Sequence, residues 1–134
     1  MTKKRVVVTG ASGFVGANLA RRLIREGHDV HLLLRLQYKS WRIQEIENVV
    51  TIHHVDLLEF ESLQLLMKQL KPDWIFHLAA NGAYDSQLDI NKIFETNIIG
   101  TKNLLEACLQ SDFESFINTG SSSEYGFKDH APLE

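Results

Sequence analysis

The sequence predicts an α/β fold in which strands and helices alternate to build a doubly wound parallel sheet. Short apolar runs rich in β-branched and aromatic residues occur five times in the 134 residues, and amphipathic segments with helical periodicity separate most of them. Such alternation is typical of crossover units that keep the strands parallel and bury both faces of the sheet. We therefore expect five parallel strands with helices on both sides.

The first strand and helix flank a glycine-rich turn. Residues 6–8 are three consecutive valines, and apolar residues recur at helical intervals over residues 14–24 before Gly27 ends the pattern. Between them, residues 9–16 have the sequence Thr-Gly-Ala-Ser-Gly-Phe-Val-Gly. The free N–H groups at the start of a helix in this context bind phosphate, so the turn predicts a dinucleotide pyrophosphate site.

Each glycine of the turn has a separate expected role. Gly10 permits tight backbone geometry, Gly13 lets the main chain approach the phosphates, and Gly16 lets the helix pack closely on the strand. The other residues of the turn that we include in the predicted site are Ser12, Phe14 and Val15.

The later elements continue the alternation. A proline at position 72 ends the second helix, because the residue before a proline disfavours helical geometry. The order predicts a Rossmann-type sheet of five strands that binds ligands at the carboxyl ends of its strands. The predicted strands are residues 29–35, 49–55, 74–80 and 113–119, the predicted helices are residues 60–70 and 88–110, and residues 37–48 form a polar connection.

Composition restricts the class of protein. With 44% hydrophobic and 23% charged residues, the chain fits one globular domain. The net charge of −3 and the dispersed basic residues argue against a nucleic-acid partner. No signal-type segment precedes the first strand and no apolar run reaches membrane-spanning length, so we expect a cytoplasmic protein without a membrane partner. The single cysteine, Cys108, is predicted to pack in the core, and no metal site is predicted.

The glycine spacing resembles the short-chain dehydrogenase/reductase superfamily, and Thr-Gly-x-x-Gly-Phe-x-Gly resembles its extended branch of nucleotide-sugar epimerases, dehydratases and reductases. The sequence His-Leu-Ala-Ala at residues 77–80 is similar to the end of the fourth strand in that family, where small side chains let the backbone approach the cofactor. The resemblance implies that Leu78, Ala79 and Ala80 border the dinucleotide. His77 itself is interpreted as a structural histidine with a local partner.

Four further positions belong to the predicted cofactor site. Asn97 lies in Thr-Asn-Ile-Ile-Gly-Thr, which resembles the Asn-x-x-Gly-Thr of the family, and the resemblance implies that it supports the strand ends. Asp56 and Leu57 resemble the family's residues that meet adenine, although an aspartate after a strand is equally an ordinary helix cap. Thr119, at the end of the fifth predicted strand, completes the set.

The residue that ends the second predicted strand indicates the cofactor. Dinucleotide folds place the side chain that meets the adenosine ribose at this point, and here it is Arg35. A guanidinium pairs well with a 2′-phosphate, so we favour NADP, with NAD as the alternative. Tyr38, Lys39 and Arg42 lie close enough in sequence to change this pocket in either direction.

The catalytic residues of the family are only partly present. Its members hold the substrate oxygen with a serine or threonine and transfer the proton with a tyrosine and a lysine four residues later. In Gly-Ser-Ser-Ser-Glu-Tyr-Gly, residues 120–126, Ser121 matches the serine, and Ser122 is the alternative. Tyr125 belongs to this motif and is not the acid. No tyrosine in the chain has a lysine four residues later.

The resemblance therefore covers the first half of a family enzyme and implies the dinucleotide-binding domain without the substrate part. We expect a fragment that is inactive alone, with a natural short cofactor module as the alternative. The motif after Ser121 looks most like reductases of 4-keto-6-deoxy nucleotide sugars, while an epimerase that retains NAD and a nonenzymatic dinucleotide-sensing module remain open. We expect a nucleotide-sugar substrate for the whole enzyme, and a homo-oligomer.

Overall fold

The computed structural model describes residues 2–82, 89–121 and 126 of the chain. These residues form a five-stranded parallel sheet with the order β3-β2-β1-β4-β5, which confirms the predicted α/β class and strand number. The strands are β1 (Arg5–Thr9), β2 (Asp29–Leu34), β3 (Thr51–His54), β4 (Trp74–His77) and β5 (Ser115–Asn118).

Helices connect the strands in the predicted order. The observed bounds of the first two helices agree closely with the predicted ranges. The predicted helix at residues 88–110 contains a π-helical turn, and its described part begins at Ile90 and ends at Cys108. Residue 88 lies outside the described residues. The helices are α1 (Phe14–Arg25), α2 (Phe60–Leu70), α3 (Ile90–Phe94), the π turn (Glu95–Gly100) and α4 (Thr101–Cys108).

Several predicted strand boundaries were wrong. The predicted start of β3 at residue 49 falls in a short 3₁₀ helix, Gln44–Val49, and a second one, Ser40–Arg42, lies earlier in the same connection. Residues 78–80 are not part of β4, because the backbone N–H groups of Leu78 and Ala79 donate to a side chain rather than to a neighbouring strand.

Alternate residues of the strands pack into two hydrophobic cores, one on each face of the sheet. The core under α1 contains Val6, Val8, Leu32 and Leu34, and the core under α2 and α4 contains Val7, Leu33 and Ile75. Cys108 lies fully buried in the second core, where burial raises the pKa of its thiol to about 12, so its predicted packing role is confirmed.

The chain runs outward in two directions from the centre of the sheet. β2 and β3 follow β1 on one side, and β4 and β5 lie on the other, so the order reverses between β1 and β4. In parallel α/β sheets a ligand binds at such a reversal, beyond the carboxyl ends of the strands. No helix in the described part of the chain has the length and apolar character needed to cross a bilayer.

Candidate functional site

The turn after β1 requires glycine at its first position. Gly10 has a φ of +68°, which side chains rarely adopt, and its backbone lies directly against the loop that follows β4. A Cβ added at Gly10 would lie 2.6 Å from the carbonyl carbon of Leu78 and 2.7 Å from the amide nitrogen of Ala79. The absence of a side chain therefore lets the ends of β1 and β4 touch through their main chains.

The other two glycines of the turn differ in what surrounds them. A Cβ on Gly16 would lie 2.7 Å from Cα of Ala11 and closer still to the carbonyl oxygen of Gly10, so close packing of α1 on the turn excludes a side chain. Gly13 is in ordinary extended geometry, and a Cβ there would meet only the carbonyl oxygen of Gly10, at 3.1 Å. Packing thus explains Gly16 better than Gly13, whose outer side is open.

The start of α1 presents an uncapped positive helix end at this turn. Gly13 is the N-cap residue and supplies no side-chain hydrogen bond, and the first turn holds no acidic residue. Ser12 is partly buried beside it, while Phe14 and Val15 are 73% and 60% exposed. A helix end with unsatisfied N–H groups and a positive dipole favours an anionic ligand.

The segment after β4 is held at both ends. The hydroxyl oxygen of Thr9 accepts hydrogen bonds from the amides of Leu78 and Ala79, both at 3.2 Å. Two residues later, the Asn97 side chain accepts from the Asn81 amide and donates to the Asn81 carbonyl, both at 2.8 Å. Between these two clamps Ala80 is exposed, so this segment forms a fixed, small-residue surface at the sheet edge.

His77, at the end of β4, is buried behind this surface. Its Nδ1 lies 2.7 Å from the hydroxyl of Thr9 and its Nε2 lies 2.8 Å from the hydroxyl of Thr101 on α4. Burial lowers the pKa of His77, because the charged imidazolium is disfavoured away from water. The predicted local partner is therefore present, in the form of two threonine hydroxyls.

Arg35 follows β2 directly and is exposed. Among the described residues its side chain forms no ion pair or hydrogen bond, whereas Arg42 stacks on Trp41 with 3.9 Å from the guanidinium carbon to the ring centroid. The Tyr38 hydroxyl donates to Glu47 at 3.3 Å. The guanidinium of Arg35 is consequently available to a ligand at the carboxyl end of β2.

The residues after β3 are fixed by local and long-range contacts. Asp56 Oδ1 accepts from the Leu58 amide at 3.0 Å and closes a local turn. The following helix has Glu59 at its N-cap and no side-chain cap hydrogen bond, so the alternative of Asp56 as a helix cap was wrong. The carbonyl of Leu57 accepts from the side chain of Asn103, and Leu57 Cβ would lie 3.1 Å from a Cβ built on Gly100. The π turn and α4 therefore pack on this loop.

The end of β5 reaches the same edge of the sheet. The Thr119 amide donates to the His77 carbonyl at 3.1 Å, which extends the pairing of β5 with β4 by one residue. Ser121 is exposed two residues further on. Ser122 and Tyr125 lie outside the described residues. The predicted residues that the structure describes thus lie in the turn after β1, in the segments that follow the other strands, and in the π turn.

Comparison with known proteins shows the family of the chain. The model of the NAD dependent epimerase/dehydratase family matches residues 6–134. The chain belongs to this family. The resemblance predicted from the glycine turn and from the end of β4 is therefore confirmed.

The chain is also similar to individual proteins whose names state an activity. The chain is 32% identical over 126 residues to a UDP-N-acetyl-alpha-D-glucosaminuronate decarboxylase of Bacillus cytotoxicus, covering 92% of the chain and 38% of that protein. An epimerase of Methanothermobacter thermautotrophicus superposes with a TM-score of 0.84 at 33% identity, covering 98% of the chain and 40% of that structure.

A UDP-glucose 4-epimerase of Thermus thermophilus, solved in complex with NAD, superposes with a TM-score of 0.69 at 33% identity, over 79% of the chain and 34% of that structure. The chain thus spans about two fifths or less of the length of these relatives.

Sequence reasoning did not identify several residues that hold the candidate site together. Asn81, Thr101 and Asn103 make the hydrogen bonds described above, and none was selected in advance. Asn103 did carry a signal, because it is a polar residue directly before Leu104 in an otherwise apolar helical stripe. A buried asparagine in such a stripe indicates a specific partner.

Proposed function

We propose that this chain is the dinucleotide-binding part of an oxidoreductase that acts on nucleotide sugars. The observation that carries the proposal is the start of α1, where the amides are uncapped, the first turn has no acidic residue, and Gly13 leaves the approach open. A dinucleotide supplies the pyrophosphate that such a helix end binds. The NAD complex of the Thermus thermophilus relative supports the same class of ligand.

The surrounding residues fit the rest of such a cofactor. Asp56 and Leu57, in the loop after β3, would meet the adenine, and the clamped residues Leu78, Ala79 and Ala80 offer a close backbone surface with small side chains beside the turn. When bound, the nicotinamide supplies hydride transfer to or from a substrate carbon. The contribution of the described residues is binding and orientation, which rigid, hydrogen-bonded loops favour.

For the cofactor we propose NADP, because Arg35 is exposed and unpaired among the described residues. Its planar guanidinium can pair with a 2′-phosphate, which is absent from NAD. Lys39, also exposed, lies four residues further along the same connection. The cofactor in the Thermus thermophilus relative favours NAD as the second candidate.

For the reaction we propose reduction of a 4-keto-6-deoxy nucleotide sugar, with Ser121 holding the substrate oxygen through a hydrogen bond. The motif at residues 120–126 and the NADP assignment support this choice. The second candidate is sugar 4-epimerisation, which the name of the Thermus thermophilus relative favours. Because no tyrosine of this sequence has a lysine four residues later, we expect no turnover from these 134 residues alone.

Calorimetric titration with NADPH and NADH tests the proposal. We expect tighter binding of NADPH and a loss of about 10- to 100-fold in NADPH affinity for Arg35→Ala, as expected for one charge-assisted contact. Arg25→Ala, at the exposed far end of α1, is the matched control and should bind as the wild type does. Tighter NADH binding would support the epimerase, and binding of neither nucleotide would contradict the proposed site.

We also propose that the chain self-associates through the outer face of the helical region after β4. Large apolar side chains are exposed there, and such patches mark protein interfaces. Two copies of one apolar face can cover each other in a symmetric contact. Light scattering should report a dimer that Phe94→Asp dissociates and Leu65→Asp on α2 does not. A wild-type monomer at high concentration would contradict this. The exposed residues are Ile90, Phe94, Ile98, Leu105 and Leu109.

A further inference from the structure

We infer that His77 is a positioning residue of the dinucleotide site, held as the neutral Nε2–H tautomer in a one-directional hydrogen-bond chain that links the turn after β1 to the π turn. The inference rests on the proposed function, because it concerns the same site. The chain of contacts runs from the amides of Leu78 and Ala79 through Thr9, His77 and Thr101 to the carbonyl of Asn97.

The direction of the chain follows from its last member. Thr101 has one hydroxyl hydrogen, which it donates to the carbonyl oxygen of Asn97 at 2.8 Å. The same hydroxyl must therefore accept from His77, so the hydrogen of the neutral imidazole is on Nε2. Nδ1 of His77 is then an acceptor, and the Thr9 hydroxyl donates to it at 2.7 Å.

Thr9 completes the chain at the other end. With its hydrogen given to His77, its oxygen accepts from the amides of Leu78 and Ala79. Each hydrogen of the chain then has one acceptor, and the bonds all point the same way, which strengthens them cooperatively. A proton added at Nδ1 would leave the Thr9 hydrogen without its acceptor, so the imidazolium does not fit this arrangement.

The hydrogen-bond chain is closed into a ring by the Asn97 side chain and the backbone between Leu78 and Asn81. The carbonyl of Asn97 ends the chain from His77, while its side-chain amide binds both backbone groups of Asn81. The segment after β4 is thereby connected at its start to Thr9 and at its far end to the π turn. Because Gly10 lies against Leu78 and Ala79, the position of the phosphate-binding turn depends on the same contacts. His77 therefore acts on the ligand through these loops and not by touching it.

Nitrogen-15 NMR of the histidine-labelled chain tests the tautomer directly and requires no ligand. The expected spectrum at pH 7 has His77 protonated at Nε2 and unprotonated at Nδ1, with the resonances assigned by their loss in His77→Gln. An Nδ1–H tautomer or an imidazolium at pH 7 would overturn the inference. This measurement is made on the wild-type chain and so does not depend on a variant folding.

Calorimetry with NADPH and NADH tests the positioning role. Thr101→Val removes the acceptor for His77, and we expect the affinity for the preferred nucleotide to fall about 3- to 10-fold, the range for one lost hydrogen bond. Thr101→Ser keeps the hydroxyl and should restore affinity to within about twofold. Thr51→Val, an exposed threonine on β3, is the matched control and should bind as the wild type does.

The outcomes separate the two proposals. If the wild type binds neither nucleotide, the proposed function fails, and the positioning role fails with it, while the tautomer is still tested by NMR. If the wild type binds but a folded Thr101→Val binds equally tightly, this inference alone fails. Loss of binding in both Thr101→Val and Thr101→Ser would also contradict it, because the hydroxyl would then not be the group that matters.

Discussion

The buried side chain of Asn103 on α4 donates a hydrogen bond to the carbonyl oxygen of Leu57, with 3.0 Å between Nδ2 and the oxygen. The bond joins the long helical region to the loop after β3, 46 residues away in the chain. A backbone carbonyl in a connection of this kind has no strand partner, so the side chain supplies the bond that the sheet does not.

Replacement of Asn103 by leucine should destabilise the chain. The change leaves the Leu57 carbonyl without its partner, and we expect the free energy of unfolding to fall by about 1–3 kcal/mol. Urea unfolding measures the difference. Asn91→Leu, at an exposed position of α3, is the control and should change stability by no more than about 0.5 kcal/mol. Equal effects of the two substitutions would show that the hydrogen bond does not contribute.

The glycines of the first turn should separate into folding and binding positions. Gly16→Ala places a methyl group against the main chain of Gly10 and Ala11, so we expect a loss of about 1–3 kcal/mol in urea unfolding. In Gly13→Ala the added methyl group meets only the carbonyl oxygen of Gly10, at 3.1 Å, so we expect a smaller loss of stability than in Gly16→Ala. Its affinity for NADPH should be lower than that of the wild type.

Gly27→Ala is the control for these two variants. Gly27 has a φ of +83°, and a Cβ added there would have nothing within 4 Å. Its substitution therefore tests backbone strain without crowding, and we expect a loss of about 1 kcal/mol. A Gly13→Ala chain that binds NADPH as tightly as the wild type would contradict the assignment of Gly13 to the phosphate approach.

Lys71→Gly should stabilise the chain. Lys71 ends α2 in a left-handed conformation, φ +47° and ψ +63°, and its amide donates to the Met67 carbonyl at 2.9 Å. Glycine adopts this geometry without the steric cost that a side chain incurs, and we expect a gain of about 0.5–1 kcal/mol in thermal or urea unfolding.

Lys68→Gly removes the same charge from the last turn of the same helix. In right-handed helical geometry glycine is unfavourable, so we expect a loss of about 1 kcal/mol. If both lysine substitutions shift stability in the same direction, the left-handed conformation of Lys71 is not the cause.

Stability should decrease as the pH falls below neutrality. Burial lowers the pKa of His77, and burial together with the neighbouring charge of His31 lowers the pKa of His53. The folded chain then binds fewer protons than the unfolded chain, whose histidines titrate at about 6.5. Stability from these groups is complete above that pH and is lost as the pH falls through the lower folded values.

Urea midpoints measured from pH 8 to pH 5 test this dependence. His77→Gln should flatten the profile between pH 7 and pH 5, and the values at pH 8 provide the reference for each protein. Asp29 and Glu114, whose pKa values are lowered, contribute to the pH dependence of stability only in more acidic solution, near and below the ordinary carboxyl range. An unchanged slope in His77→Gln would contradict the assignment of the loss to His77.

The alternation of apolar runs predicted the class of fold because parallel strands buried on both faces need continuous apolar residues. Both ends of helix α2 were predicted correctly. Its C-terminal end was predictable because Pro72 disfavours helical geometry at the residue before it. The end of β4 was not predicted, because Leu78 and Ala79 donate to Thr9, a residue 69 or 70 positions away. Such a contact depends on the assembled sheet and leaves no local pattern.

The same reason explains what was missed in the site. The glycine turn is a local structure and can be recognised from its spacing, whereas the partners of Asn81, Thr101 and Asn103 are brought together only by packing. The π turn at Glu95–Gly100 adds a further difficulty, because one wider turn does not disturb the apolar periodicity enough to be seen.

The position of β1 at the centre of the sheet affects how the chain is made as well as how it binds. Thr9 and His77, which lie side by side in the folded sheet, are 68 residues apart, so β1 is synthesised long before its second neighbour exists. During that interval three consecutive valines lack their pairing partner on one side, a condition that favours aggregation. Lys3, Lys4 and Arg5 directly precede the valines, and charges at that position act as gatekeepers for the nascent strand.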